Sequence, residues 1–221
     1  MPMISAEPKV LPVFVLADVS GSMAADGKID ALNQSMKDMI ETFKEPGQRG
    51  TPIKLAVIVF SGSDARLHIP FTAAKSVDWE DLQAGGGTPM GAALAMLTSL
   101  VEDRNVIKSK DYRPMVILAS DGQPTDDFAS ALETLNKSER AKKADRFALA
   151  IGMDADTEVL KRFTDMARKA EEAQAVIFRA GDANQIRKAF KEFTMSASNR
   201  SSHNDPDKPA EVNSGNLQTV N

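Results

Sequence analysis

Asp18, Ser20 and Ser22 stand in the stretch VFVLADVSGSM, so one carboxylate and two hydroxyls fall within five residues directly after an apolar run. Such a set suits three kinds of chemistry: a nucleophile centre, a cluster of hard oxygen ligands, or the cap of a helix. In an extended chain Ser20 and Ser22 share the parity of Asp18, so a turn leaving the strand can aim all three inward. Gly21 between them permits close backbone packing. Two more oxygen-bearing residues have similar surroundings, Thr88 in AGGGTPMG and Asp121 in ILASDGQPTDD. Taken singly, Thr88 would suit an N-cap with proline at the first helical position, and Asp121 an Asp-Gly turn. Taken together, the five residues require an explanation that capping does not supply.

Composition narrows the choice. The 221 residues include no cysteine, and His68 and His203 are the two histidines. Disulfides, thiolate catalysis and iron–sulfur clusters are excluded, and a zinc hydrolase fits poorly. Any metal must therefore be held mainly by oxygen. Mg2+ takes roughly six oxygens at about 2.0–2.1 Å and commonly keeps several waters. The Ser20 and Ser22 hydroxyls could ligate directly, Thr88 directly or through water, and Asp18 and Asp121 directly or by holding coordinated waters. Mn2+ or Ca2+ could use similar oxygen chemistry. Two carboxylates formally balance a divalent ion, and if one of them acts through water the ion stays electrophilic on its open face. An Asp or Glu from a partner protein can then displace a water and complete the shell.

The rival chemistry is a metal-dependent phosphohydrolase. It needs an activated nucleophile and a proton-transfer group. Two positions beyond Asp18 stands Ser20 rather than a second carboxylate, and neither serine has an evident His or Lys partner. GGGTPMG also lacks the spacing and the lysine of a phosphate-binding loop. Its glycines are expected to let the backbone approach the ion and to reshape around Thr88 when a ligand arrives.

These residues need a frame that brings distant loops to one place. Apolar, β-branched runs at 10–17, 53–60, 115–119, 146–151 and 175–178 predict strands covered on both faces. Helical periodicity follows at 28–43, 90–102, 128–143, 157–170 and 182–193; in the first, Ile29, Leu32, Met36, Met39, Ile40 and Phe43 form one apolar stripe. Alternation in ARLHIPF, with Pro70 near its end, predicts an antiparallel edge strand at 66–71. The expected fold is α/β, a doubly wound Rossmann-like mixed sheet, mainly parallel with one antiparallel edge strand and helices on both faces. Ligand crevices in such a sheet lie at the carboxyl ends of its strands, where all three oxygen-bearing segments fall.

One domain is expected over residues 8–196, followed by a polar and disordered tail over 197–221. The start, MPMISAEPKV, lacks the basic and apolar regions of a signal peptide. Apolar runs stay well short of the about 18–20 residues a membrane helix needs. A soluble, cytoplasmic protein without membrane attachment is expected. The formal charge of -4, from 27 Lys and Arg against 31 Asp and Glu, offers nucleic acid no general attraction. Asp26 and the pair Asp126 and Asp127 suit helix starts. His68 suits a surface or packing role, His203 a solvated one, and Trp79 and the helical methionines suit packing.

Asp18-Val19-Ser20-Gly21-Ser22, then Thr88 in GGGTPMG and Asp121 in ASDGQPTD, resembles the metal-ion-dependent adhesion site (MIDAS) of von Willebrand factor type A domains. The resemblance covers about residues 10 to 194. In that family the first aspartate and two serines follow the first strand, the threonine lies in a later loop and the last aspartate follows the fourth strand. It implies that Asp18, Ser20, Ser22, Thr88 and Asp121 are metal ligands, with no catalytic residues. The GGGTPMG and DGQPTD segments are similar to those of bacterial TerY-like proteins, associated with tellurite-resistance and stress-response gene clusters beside a protein kinase and phosphatase. That likeness implies a metal-dependent adaptor or scaffold. A regulatory subunit of an ATP-driven assembly is an alternative setting for the same metal chemistry.

Overall fold

The computed structural model describes residues 8–44, 51–153, 155–165, 177–201, 209–213, 215 and 217–220. Within its sheet runs β1 (Leu11–Asp18), an inner strand every residue of which is buried. Around it stand β2 (Ile53–Ser61), β3 (Asp64–Ala73), β4 (Met115–Ser120), β5 (Asp145–Ile151), β6 (Ile177–Ala180) and β7 (Gln218–Thr219). The order across the sheet is β3-β2-β1-β4-β5-β6-β7. β1 pairs in parallel with both β2 and β4, and β5 and β6 continue the parallel run. β3 and β7 are antiparallel and form the two edges. Because the chain leaves β1 for β2 on one side and reaches β4 on the other, the carboxyl ends of β1 and β4 border the crevice where such sheets hold ligands.

Helices α1 (Lys28–Lys44), α2 (Met90–Glu102), α3 (Phe128–Lys137), α4 (Thr157–Asp165) and α5 (Ala183–Ser201) cover the two faces. Alternate residues of β1 serve opposite cores. Val13, Val15 and Ala17 pack with Leu32, Met36 and Met39 of α1 and Phe190 and Phe193 of α5. Phe14 and Leu16 pack with Leu94 and Leu97 of α2, Leu132 of α3 and Phe163 of α4. A strand with both faces covered has no reason to alternate apolar and polar residues, which is why LPVFVLAD is apolar up to its last position. No described helix is long and apolar enough to cross a membrane.

The edge strand expected at 66–71 is β3, with Pro70 exposed on it. Two expected boundaries change. The helix expected over 128–143 stops at Lys137 and is followed by a short 3-10 turn, Ala141–Lys143. Tertiary bonds decide this: Glu102 Oε1 accepts from the Arg140 and Ala141 backbone N–H groups, and the Arg140 guanidinium donates to the Val101 and Ile107 carbonyls. Of the helix expected over 157–170, residues 166–170 lie outside the described residues, as do 175–176 of the fifth expected strand and His203.

The second concerns the boundary expected at residue 196. α5 continues through it to Ser201, burying Ala197 and Arg200. Further on, Ala210 is buried and its N–H donates to Asp145 Oδ2 at 2.9 Å, while β7 pairs with the open edge of β6. The sheet therefore has a second antiparallel edge strand. Polar side chains do not prevent this, because a strand pairs through backbone groups that every non-proline residue carries. Residues 202–208, 214, 216 and 221 lie outside the described residues.

Asp145 fastens this segment to the domain, since its oxygens also lie 3.5 Å from Arg113 and from the buried Arg200. Asp145→Ala should destabilise the chain by about 2–4 kcal/mol, the range for removing one partner of a buried charged contact. Urea denaturation measures the loss, and amide exchange should rise first around Ala210.

Candidate functional site

β1 ends in Asp18, and the chain then turns away through Ser20 into a short 3-10 turn, Gly21–Ala24. Two backbone bonds fasten this loop to the glycine segment: Gly85 N–H donates to Val19 O at 2.8 Å and Gly21 N–H to Gly86 O at 2.9 Å. Gly86 has φ +79°, and a Cβ there would lie 2.6 Å from Gly62 N. Only glycine meets both conditions. Next, Thr88 clasps the loop after β4, its N–H donating to Thr125 Oγ1 at 3.0 Å and its carbonyl accepting from Thr125 N–H at 2.9 Å. Three distant segments are thereby held as one surface.

Within that surface the five expected residues gather. Asp18 is fully buried; its Oδ1 accepts from Ser20 N–H at 2.8 Å and its Oδ2 from Ser120 Oγ at 2.5 Å. Ser20 Oγ and Ser22 Oγ are 3.1 Å apart, and Ser22 Oγ donates to Asp121 Oδ1 at 2.6 Å. Thr88 Oγ1 and Asp18 Oδ2 lie 3.2 and 3.8 Å from the point where a Cβ on Gly122 would stand, so that glycine leaves the space between them open. Asp18, Ser20 and Thr88 are buried whereas Ser22 is exposed, which opens the cluster to solvent at one side.

Thr88 does not cap α2. Pro89 occupies the N-cap position with no side-chain bond, and Asp126 reaches across to accept from the Gly91 and Ala92 N–H groups at 2.8 Å each. Among the described residues the Thr88 hydroxyl has no hydrogen-bond partner. Of the acidic pair expected at the start of α3, Asp127 does cap that helix through Ser130 N–H, and Asp126 serves α2 instead. Asp26 is a turn residue rather than a cap: it has φ +55° and is followed by Gly27 at +68°.

That turn delivers a residue the sequence reasoning missed. Lys28, the first residue of α1, donates from Nζ to Asp121 Oδ2 at 2.8 Å. Both oxygens of Asp121 therefore have donors, and its side chain is only 2% exposed. The Asp-Gly reversal six residues after Ser20 was the available signal, since it doubles the chain back toward the loop it has left. Ser120, the donor to Asp18, was also missed; it precedes Asp121 on a strand end already assigned to the cluster. His68 and Trp79 lie together at β3, with rings edge to face at 4.9 Å, and Trp79 packs against the core as expected.

Electrostatically the cluster is two carboxylates in a nearly dry place. Burial pushes the Asp18 carboxyl above the ordinary aspartate range, against the lowering effect of the Ser120 and Ser20 donors, and the nearby Asp121 pushes the same way as burial. The oxygens of Asp18, Ser20, Ser22, Thr88 and Asp121 could hold a hard cation, which would relieve both the burial and the mutual repulsion. The set has too few carboxylates to form a trio of His, Cys, Asp or Glu, and no such metal-holding group occurs among the described residues.

The model of the von Willebrand factor type A domain family matches residues 13–192. The chain belongs to this family. Solved structures agree in fold. A von Willebrand factor type A protein from Catenulispora acidiphila superposes with a TM-score of 0.64 at 21% identity, covering 86% of this chain and 43% of its own. Proximal thread matrix protein 1 from the mussel byssus, described with a zinc-occupied MIDAS motif, gives 0.63 at 16% identity, covering 86% and 48%. Manganese-loaded TRAP protein of Plasmodium vivax gives 0.59 at 21% identity, covering 85% and 74%. The chain thus spans less than half the length of the first two. No curated protein matches the sequence. Von Willebrand factor type A domains are in general non-catalytic modules for protein interaction, and this chain carries such a domain over residues 13–192.

Two outcomes follow for the loops and for Asp18. Gly86→Ala should cost about 1–3 kcal/mol through strain and the contact with Gly62, measured by urea denaturation. Asp18 takes up a proton more readily in the folded chain than in the unfolded one, so ionising it costs stability in the metal-free protein. That cost is absent below the unfolded carboxyl's pKa and complete above the folded one. Measured in a chelator, the stability of Asp18→Asn relative to wild type should improve as pH rises out of the ordinary aspartate range, then level off. A difference independent of pH would contradict this.

Proposed function

We propose that this von Willebrand factor type A domain is a metal-dependent protein-binding adaptor. Asp18, Ser20, Ser22, Thr88 and Asp121 hold one divalent cation, and a partner protein supplies an Asp or Glu carboxylate to the ion's open side. The observation that carries this reading is the gathering of five oxygen-bearing side chains from three loops, among them a Thr88 hydroxyl that has no hydrogen-bond partner among the described residues. Mg2+ suits the all-oxygen donor set, with Mn2+ and Ca2+ as neighbours in the same chemistry. The zinc-occupied MIDAS motif of the mussel protein supports a metal at this position, and the manganese-loaded Plasmodium protein supports metal binding by the fold.

Hydrolysis of a phosphate ester gains no support from the geometry. The Ser20 and Ser22 hydroxyls bond each other, Ser22 donates to Asp121, and the Lys28 ammonium meets Asp121 rather than either serine, so among the described residues neither serine is bonded to a histidine or a lysine. The likeness of GGGTPMG and DGQPTD to TerY-like proteins supports a bacterial stress-response or tellurite-resistance setting in the cytoplasm, with a kinase or phosphatase as partner.

The test combines calorimetry with capture. Wild type should bind Mg2+ and Mn2+, and Asp18→Asn should bind them about 10- to 100-fold more weakly while keeping its circular dichroism. Capture of an acidic partner should require both the ion and Asp18. Equal capture by the folded variant in a chelator would sink the proposal.

A further inference from the structure

Lys28 is built into the cluster rather than draped over it. The left-handed pair Asp26 and Gly27 turns the chain so that α1 opens beside Asp121. On the other side passes the loop after β5, where Gly152 has φ +90° and a Cβ would stand 3.3 Å from Lys28 Nζ and 3.6 Å from Cε. That loop is itself fastened: Gly152 N–H donates to Ala180 O at 2.7 Å and Arg179 Nη1 to Met153 O at 2.6 Å. The lysine side chain is 18% exposed, and its ammonium meets an aspartate whose other oxygen is already bonded to Ser22.

We propose that Lys28 is a fixed counter-charge that makes ion binding and carboxylate binding depend on each other. The inference rests on the metal reading above. Asp18, Asp121 and Lys28 together carry one net negative charge when ionised. A divalent ion turns this into one net positive charge, and an incoming carboxylate returns the site to neutrality. Without Lys28 the ion alone neutralises the two aspartates, and an added carboxylate leaves an excess negative charge. In a poorly solvated site the neutral arrangement is favoured. Lys28 therefore weakens the bare ion and strengthens its demand for an acidic ligand. The coupling is reciprocal, so the acidic ligand tightens the ion by the same factor that the ion tightens the ligand. An adaptor built this way holds its ion more loosely until the acidic partner arrives.

The test is Mn2+ binding to the purified full chain, followed by electron paramagnetic resonance, with Mn2+ alone and with acetate as the carboxylate probe. Lys28→Met keeps the apolar stem and removes the charge; Lys28→Arg keeps the charge. Lys28→Met should bind Mn2+ alone about tenfold more tightly than wild type, as expected for removing one nearby like charge, while Lys28→Arg stays near wild type. Acetate should tighten Mn2+ binding in wild type and do so less in Lys28→Met. Measurable binding by Lys28→Met alone, with none by wild type, would also support the proposal. Equal or weaker binding by a folded Lys28→Met would overturn it and leave Lys28 as a strut for Asp121, with the metal reading intact. Absence of Mn2+ binding in wild type and in both variants would overturn the metal reading and this proposal together.

Discussion

Two carboxylates face each other across the ends of β1 and β4 with little water around either, and the architecture of this edge offsets that arrangement. Asp18 has lost its solvent entirely, and Asp121 very nearly so. Each needs donors at fixed positions, because an ionised group without them is far costlier inside a protein than in water. Ser20 N–H and the Ser120 hydroxyl serve Asp18, and the Ser22 hydroxyl and Lys28 ammonium serve Asp121. These donors come from β1's loop, β4 and α1, so the pair of charges ties together elements far apart in the chain.

The rest of the fold makes such a pairing possible. β1 and β4 are buried on both faces and lie side by side in register, so Asp18 at the end of β1 and Asp121 directly after β4 are held near each other. Glycines at 86 and 87 let the Thr88 segment lie directly against the turn at Gly62. Asp126 caps α2 from the loop after β4, which anchors Thr88's helix to Asp121's loop through charge and hydrogen bonds at once. The strained and polar features are thus concentrated at one edge, while the opposite requirement, apolar packing, is met by the two cores beneath it. That division is how a rigid scaffold presents chemistry on loops.

Much of this was visible in the residues. Apolar β-branched runs placed the parallel strands within a residue or two, since strands buried on both faces leave an unmistakable unbroken pattern. The amphipathic stripe of α1 was equally clear. The convergence of Asp18, Ser20, Ser22, Thr88 and Asp121 could be anticipated because each follows a strand or opens a helix at the same edge of the sheet. Three things could not. Lys28 looked like an ordinary helical lysine, since its meeting with Asp121 depends on a left-handed turn and on the gap left by Gly152. Asp126 looked like a partner for its own helix. The strand at Gln218 and Thr219 has a polar composition, and its place depends on the vacant edge of β6.

By itself the sequence determined the order of strands and helices, the two-sided core and the set of oxygens available at one edge, because hydrophobic periodicity and side-chain chemistry are local properties. Tertiary structure alone decided which donor meets which carboxylate, where the third helix stops and how residues beyond Phe193 join the domain. Those outcomes turn on hydrogen bonds and charges between residues dozens of positions apart, whose geometry exists only once the sheet has brought their backbones together.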